Sequence, residues 1–190
     1  MKIVLASGSP RRRELLQMLG VEGFTVCPAE GEEKPPAHAA PADIACSLAH
    51  DKAKEVAAKF SPDTLVIAAD TIVVIGDDIL GKPHDEEEAF HMLRHLSGKT
   101  HEVYTGVSVS LEGETLTEAE RTLVRFRELD DGEIRRYIAT GEPMDKAGAY
   151  GAQGKASLFV EGIEGDFFNV MGLPICLLGS MLRRKGVTIL

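Results

Sequence analysis

The chain has 190 residues, enough for one domain with a substantial core, and with only 5% aromatic residues and no Trp that core must be built from Val, Ile, Leu and Ala. Its formal net charge of -9 argues against a general DNA or RNA binder, because phosphate backbones are held by an excess of Lys and Arg. No stretch is long enough to span a membrane, and the N-terminal apolar run is too short for a signal peptide.

The three cysteines, Cys27, Cys46 and Cys176, are far apart and lack metal-type spacing. They are expected as buried thiols in a reducing, cytoplasmic compartment.

Ile3-Val4-Leu5-Ala6 is a short apolar run that reads as a buried strand. Ser7-Gly8-Ser9-Pro10-Arg11-Arg12-Arg13 follows, with Ser9 placed as N-cap and Pro10 as the first helical residue. The helix through Leu15, Leu16 and Leu19 stops at Gly20. A polar loop between strand and helix start collects free backbone N–H groups, and three arginines add forked donors suited to phosphate oxygens. The alternative is an ordinary turn with its arginines in water. The loop is not a Walker A motif, because the Gly-Lys-Ser/Thr ending is missing.

Phe24 to Cys27 reads as a second strand, and Pro28 to Pro41 as a loop carrying Glu30, Glu32 and Glu33. Those acids read either as a solvated loop or as the source of a metal ligand. From Pro41 to Phe60, Ile44, Ala45, Leu48, Ala49, Val56 and Phe60 recur at helical spacing. Lys52 lies inside that apolar stripe, so its amine must either reach the edge or meet an anion.

Thr64 to Ala69 is a continuous apolar run, as expected of a strand buried on both faces, and it ends in Asp70-Thr71. A carboxylate there is either held by backbone N–H groups or placed for a metal or for general-base work. Gly76-Asp77-Asp78 reads as a hairpin turn, and Gly81-Lys82-Pro83 fixes Lys82 on a stiff turn. Asp85 and Glu88 form a capping box for a helix that stops at Gly98.

Val103 to Leu111 alternates as a half-buried strand, and Leu116 to Phe126 returns. His101 is expected at the surface of a strand start. Asp130 caps a helix through Tyr137 and Ile138. The glycine-rich stretch Glu142 to Gly154 reads as backbone wrapped closely around something, with Gln153 able to read a nucleobase edge through its donor and acceptor. Leu158 to Val160 reads as a strand, Asn169 as a turn and Pro174 to Arg184 as a last helix.

Ser7-Gly8-Ser9-Pro10-Arg11-Arg12, Ala69-Asp70-Thr71, Leu80-Gly81-Lys82-Pro83, Leu96-Ser97-Gly98 and Glu142 to Gly154 together resemble the Maf family of nucleoside triphosphate pyrophosphatases, once named for effects on septum formation. The resemblance runs from Ile3 to about Pro174. It implies a single Maf-like domain over 1–190 with an α/β fold: a mixed twisted sheet flanked by helices, in two lobes with a central cleft, related to inosine-triphosphate pyrophosphatases. It implies hydrolysis of a nucleoside triphosphate to the monophosphate and pyrophosphate with a divalent cation, Mg²⁺ or Mn²⁺. It assigns Asp70 as proton acceptor, Asp70 and Glu32 (or the neighbouring Glu33) as metal ligands, and Lys52, Lys82 and Arg12 as holders of the triphosphate.

Ser7 would cradle a phosphate. Arg11, Thr71 and Gln153 resemble the dTTP/UTP subgroup, whereas the 7-methyl-GTP subgroup tends to an aromatic, a Gln and a Glu at those places. A neutral pyrimidine with an imide edge suits Gln and Arg; a cationic, methylated guanine would favour an aromatic face and a carboxylate. The resemblance implies a nucleotide substrate and a homodimer, and the net charge and the lack of a spanning stretch predict no nucleic-acid or membrane partner. The other readings are a 7-methyl-GTP pyrophosphatase and a nucleotide-binding division regulator without physiological catalysis.

Overall fold

The computed structural model describes residues 1–32 and 34–189. In chain order the elements are β1 (Ile3–Leu5), α1 (Pro10–Met18), β2 (Thr25–Val26), α2 (Pro41–Ala57), β3 (Leu65–Ile75), β4 (Asp78–Leu80), α3 (Glu86–Leu96), β5 (Thr100–Leu111), β6 (Glu114–Phe126), α4 (Asp131–Ile138), β7 (Val160–Glu164), α5 (Phe167–Met171) and α6 (Ile175–Arg184). Three short 3₁₀ turns, Glu142–Asp145, Ala147–Ala149 and Lys155–Leu158, occupy the stretch between α4 and β7.

The strands form one mixed sheet in the order β2-β1-β3-β5-β6-β7, with β4 paired to β3. β1 runs parallel to β2 and β3, while β3–β4 and β6–β7 are antiparallel. The parallel pairs lie where α1 and α2 provide the crossovers, as parallel pairing requires. Among the described residues no helix is long and apolar enough to cross a membrane.

The chain gathers into two compact units: Met1–Asp70, Thr105–Glu120 and Gly172–Leu190 form the first, Thr71–Tyr104 and Arg121–Met171 the second. In the first, Ala53 and Val56 of α2 pack on Val4, Ala6, Val66 and Ala68 of the β1 and β3 segments. α2 also lies directly on β5: a Cβ at Gly106 would stand 2.1 Å from the Ala45 carbonyl oxygen, so only glycine fits. In the second unit, α3 and α4 bury Phe90, Leu93, Leu96, Ile134 and Ile138 against Val73, Val103, Val124 and Phe126.

Several expectations are corrected. His101 is not at the surface but 1% exposed, edge-on to Phe126 and Tyr150, with Nε2 2.8 Å from the Tyr150 hydroxyl. Single-sequence alternation missed it because a histidine with one polar partner packs as an aromatic. Ser9 and Pro10 stand as N-cap and first helical residue as expected, but the Ser9 side chain makes no capping hydrogen bond, and its N–H donates to Ser7 Oγ at 3.3 Å.

Leu158 belongs to a 3₁₀ turn and the strand starts at Val160. Asn169 lies in α5, fully buried, its amide donating to Val103 O and Thr122 Oγ1 at 3.0 Å each. The thiols are free but not buried: Cys27 and Cys46 are half-buried and Cys176 is exposed. The Asp85 cap forms as expected, with the Glu88 N–H 2.8 Å from its Oδ1, but Glu88 reaches back to the His84 N–H rather than to that of Asp85.

Candidate active site

β1 and α1 of the first unit position Ser7 and Arg12. Ser7 is nearly buried at the end of the strand, and its Oγ accepts from Arg12 Nη1 at 3.0 Å. Arg12, in the first turn of α1, also donates Nε to the Gly172 carbonyl at 2.6 Å. The arginine therefore braces the loop at its own helix start, two directional contacts that only a planar fork makes together. Arg11 is half-buried and Arg13 exposed on the same turn.

Asp70 stands at the end of the first unit's part of β3, 8% exposed after five fully buried residues. Its Oδ1 lies 2.5 Å from Lys52 Nζ of α2. Of the two outcomes open to Lys52 in its apolar stripe, pairing with an anion is the one realised. The side chains are 19% and 11% exposed, so each ion offsets the other's desolvation.

α2 also reaches the loop at Glu30 and Gly31 through Glu55, one turn beyond Lys52. Its carboxylate accepts the Glu30 and Gly31 N–H groups at 3.0 and 2.9 Å, and Lys59 Nζ at 2.9 Å. These hydrogen bonds, the Glu30 amide first, hold the Glu55 carboxyl down at about 2. One helix thus grips Asp70 and the loop that carries Glu32. Glu32 itself is 79% exposed at its side chain and 3.1 Å from Lys34. The alternative ligand, Glu33, lies outside the described residues. Sequence reasoning passed over Glu55, since an exposed acid four residues before Lys59 reads as a helix-surface pair.

The second unit carries Thr71, Lys82 and Gln153. Lys82 and Gln153 are exposed and Thr71 is half-buried. The Lys82 turn and the glycine-rich stretch are joined where the Gly148 N–H meets Gly81 O at 3.0 Å. Gly148 has φ 68°, and a Cβ there would press on Val73 at 3.1 Å. The glycines of this stretch give the close backbone approach that the sequence predicts, here to the protein's own side chains Val73, Lys146 and Glu142.

Among the described residues no three His, Cys, Asp or Glu groups stand together as a metal cage. Carboxylates such as Asp70 and Glu32 are the kind of ligand a hard cation of the Mg²⁺ class takes singly or in pairs, completing its shell with phosphate oxygens and water.

The chain folds like the Staphylococcus aureus Ham1 protein, with a TM-score of 0.52 at 14% identity, over 97% of this chain and 100% of that one. This is a likeness of fold, an α/β protein with a mixed sheet flanked by helices. In sequence, the model of the Maf-like protein family matches residues 2–185. A dTTP/UTP pyrophosphatase of Bacillus cereus (strain ZK / E33L) is 52% identical over 188 residues, 99% of this chain and 97% of that protein. A dTTP/UTP pyrophosphatase of Bacillus thuringiensis subsp. konkukian (strain 97-27) matches equally, at 52% over 188 residues with the same coverage. The chain belongs to the Maf family.

Proposed function

We propose that this chain hydrolyses dTTP and UTP to the nucleoside monophosphate and pyrophosphate. The observation that carries the reading is 52% identity, over 99% of the chain, to a protein named for that activity. The match over residues 2–185 also supports reading the chain as one Maf-like domain.

Asp70, held in place by Lys52, takes a proton from water as the water oxygen bonds to the α-phosphorus. The bond from the α-phosphorus to the bridging oxygen breaks, and pyrophosphate leaves with that oxygen. Arg12, Lys52 and Lys82 stabilise the charge gathering on the departing group, and Ser7 with the backbone at the start of α1 cradles a phosphate. Asp70 and Glu32 would hold a divalent cation, Mg²⁺ or Mn²⁺, which when bound neutralises phosphate charge. Arg11, Thr71 and Gln153 select the pyrimidine.

The test is pyrophosphate release from dTTP, UTP, CTP, GTP and 7-methyl-GTP with Mg²⁺ or Mn²⁺. Preference for dTTP and UTP is expected. Preference for 7-methyl-GTP would keep the reaction and sink the specificity. Nucleotide binding without release from any of them would make the protein a nucleotide-binding regulator.

A further inference from the structure

Gln153 is exposed on a turn of the second unit, and the backbone on both sides of it ends on the same pair of side chains. Tyr137 of α4 donates its hydroxyl to Glu142 Oε1 at 3.0 Å and accepts the Gly151 N–H at 3.2 Å. Glu142 Oε2 accepts the Lys155 N–H at 3.1 Å. Between these anchors the turn closes on itself, with Gly154 N 2.9 Å from Gly151 O. The approach is tight: a Cβ at residue 154 would lie 2.3 Å from Glu142 Oε1. The pair is itself fixed, for Tyr137 is buried edge-on against Phe159, and Lys146 Nζ donates to the Glu142 carbonyl at 2.6 Å.

We infer that Glu142 and Tyr137 are positioning residues for base selection, holding the turn that presents Gln153 to the pyrimidine edge. The inference rests on the proposed reading of Gln153. A glutamine amide offers a donor and an acceptor on one rotatable end, so it can tell an imide from an amino-substituted pyrimidine only if its backbone stays put. A site built to hydrogen-bond one edge rejects the wrong edge because a buried partner is left unsatisfied, and a loose turn forfeits that penalty. Phosphate binding and proton transfer are assigned to other residues, so loosening the turn acts on discrimination before it acts on turnover.

Two variants address the pair separately. Glu142→Gln keeps the shape but leaves one carbonyl oxygen where two carboxylate oxygens accepted. Tyr137→Phe removes only the hydroxyl. Each is expected to raise KM for dTTP and UTP and to lower the dTTP-to-CTP ratio of kcat/KM, by about tenfold, the factor of one hydrogen bond. Turnover should stay within about threefold, the pattern of lost binding rather than lost chemistry. Amide hydrogen exchange should accelerate over residues 149–155, with the rest of the protein unchanged. Gln153→Ala should lose the same discrimination, and adding Glu142→Gln to it should cost no more, as expected of residues acting through one another.

If Gln153→Ala loses discrimination while Glu142→Gln and Tyr137→Phe keep it, the positioning role is wrong and the base reading stands. If Gln153→Ala keeps discrimination, the base reading fails and this inference falls with it. Should Glu142→Gln not fold, Tyr137→Phe carries the same comparison.

Discussion

Asp70 and Lys52 are each explained by the other. A carboxylate after five buried strand residues and an ammonium inside an apolar helical stripe would each be costly alone; at 2.5 Å they compensate. Asp70→Asn keeps the side chain's size and a hydrogen-bond acceptor for Lys52 but not its charge, so some stability is lost, while pyrophosphate release by the folded protein falls by about 10²–10⁴, the usual loss with a general base. Near-normal turnover in single-turnover assays would remove Asp70 from that role. Arg12 makes a different prediction, because its contacts are directional. Arg12→Lys cannot reach Gly172 O and Ser7 Oγ together, so it should lower stability by about 1–3 kcal/mol in denaturant unfolding, close to the effect of Arg12→Ala. Full rescue by lysine would mean that only the charge matters.

α2 is the element that organises the first unit. Its apolar face packs on the β1 and β3 segments, its Lys52 meets Asp70, and its Glu55 holds the loop at Glu30 and Gly31. This is possible because Gly106 lets the helix backbone lie on β5. Gly106→Ala would drive a methyl to 2.1 Å from the Ala45 carbonyl, backbone against backbone, so neither side can swing away. Destabilisation of about 3 kcal/mol or more is expected, read as a lowered denaturation midpoint at unchanged m-value. An Ala variant with wild-type stability would show that α2 has room to move. Glu55→Gln should spare the fold but loosen the loop carrying Glu32, seen as faster amide exchange at Glu30 and Gly31.

At the scale of the molecule, the stability profile with pH carries the mark of His101. Burial pushes its imidazole down from the usual 6.5 to about 4, and its Nδ1 is buried with no hydrogen-bond partner among the described residues. The folded protein therefore keeps His101 neutral where the unfolded chain would protonate it. Its contribution is fully present above about pH 6.5 and is lost as pH falls toward about 4, at most about 3 kcal/mol. Wild type should lose about 2 kcal/mol from this source between pH 6.5 and 5, and His101→Gln, which does not titrate, should lose correspondingly less in urea unfolding. Identical slopes would assign acid lability to other groups.

The periodicities set most of the elements, since one chemical pattern repeats along each: the apolar run at β3, the helical stripe of α2 and the Asp130 cap were legible residue by residue. The separated motifs carried the family, because they record chemistry that few residue types can perform. Tertiary structure decided what depends on partners distant in the chain. Lys52 meets Asp70, Arg12 meets Gly172, and His101 meets Tyr150 across 18, 160 and 49 positions. Glu142 likewise supplies what the glycine-rich backbone wraps around, closing the turn that carries Gln153. The reason is physical: a side chain's propensity is local, but the cost of burying its polar atoms is settled only by the group that comes to meet it.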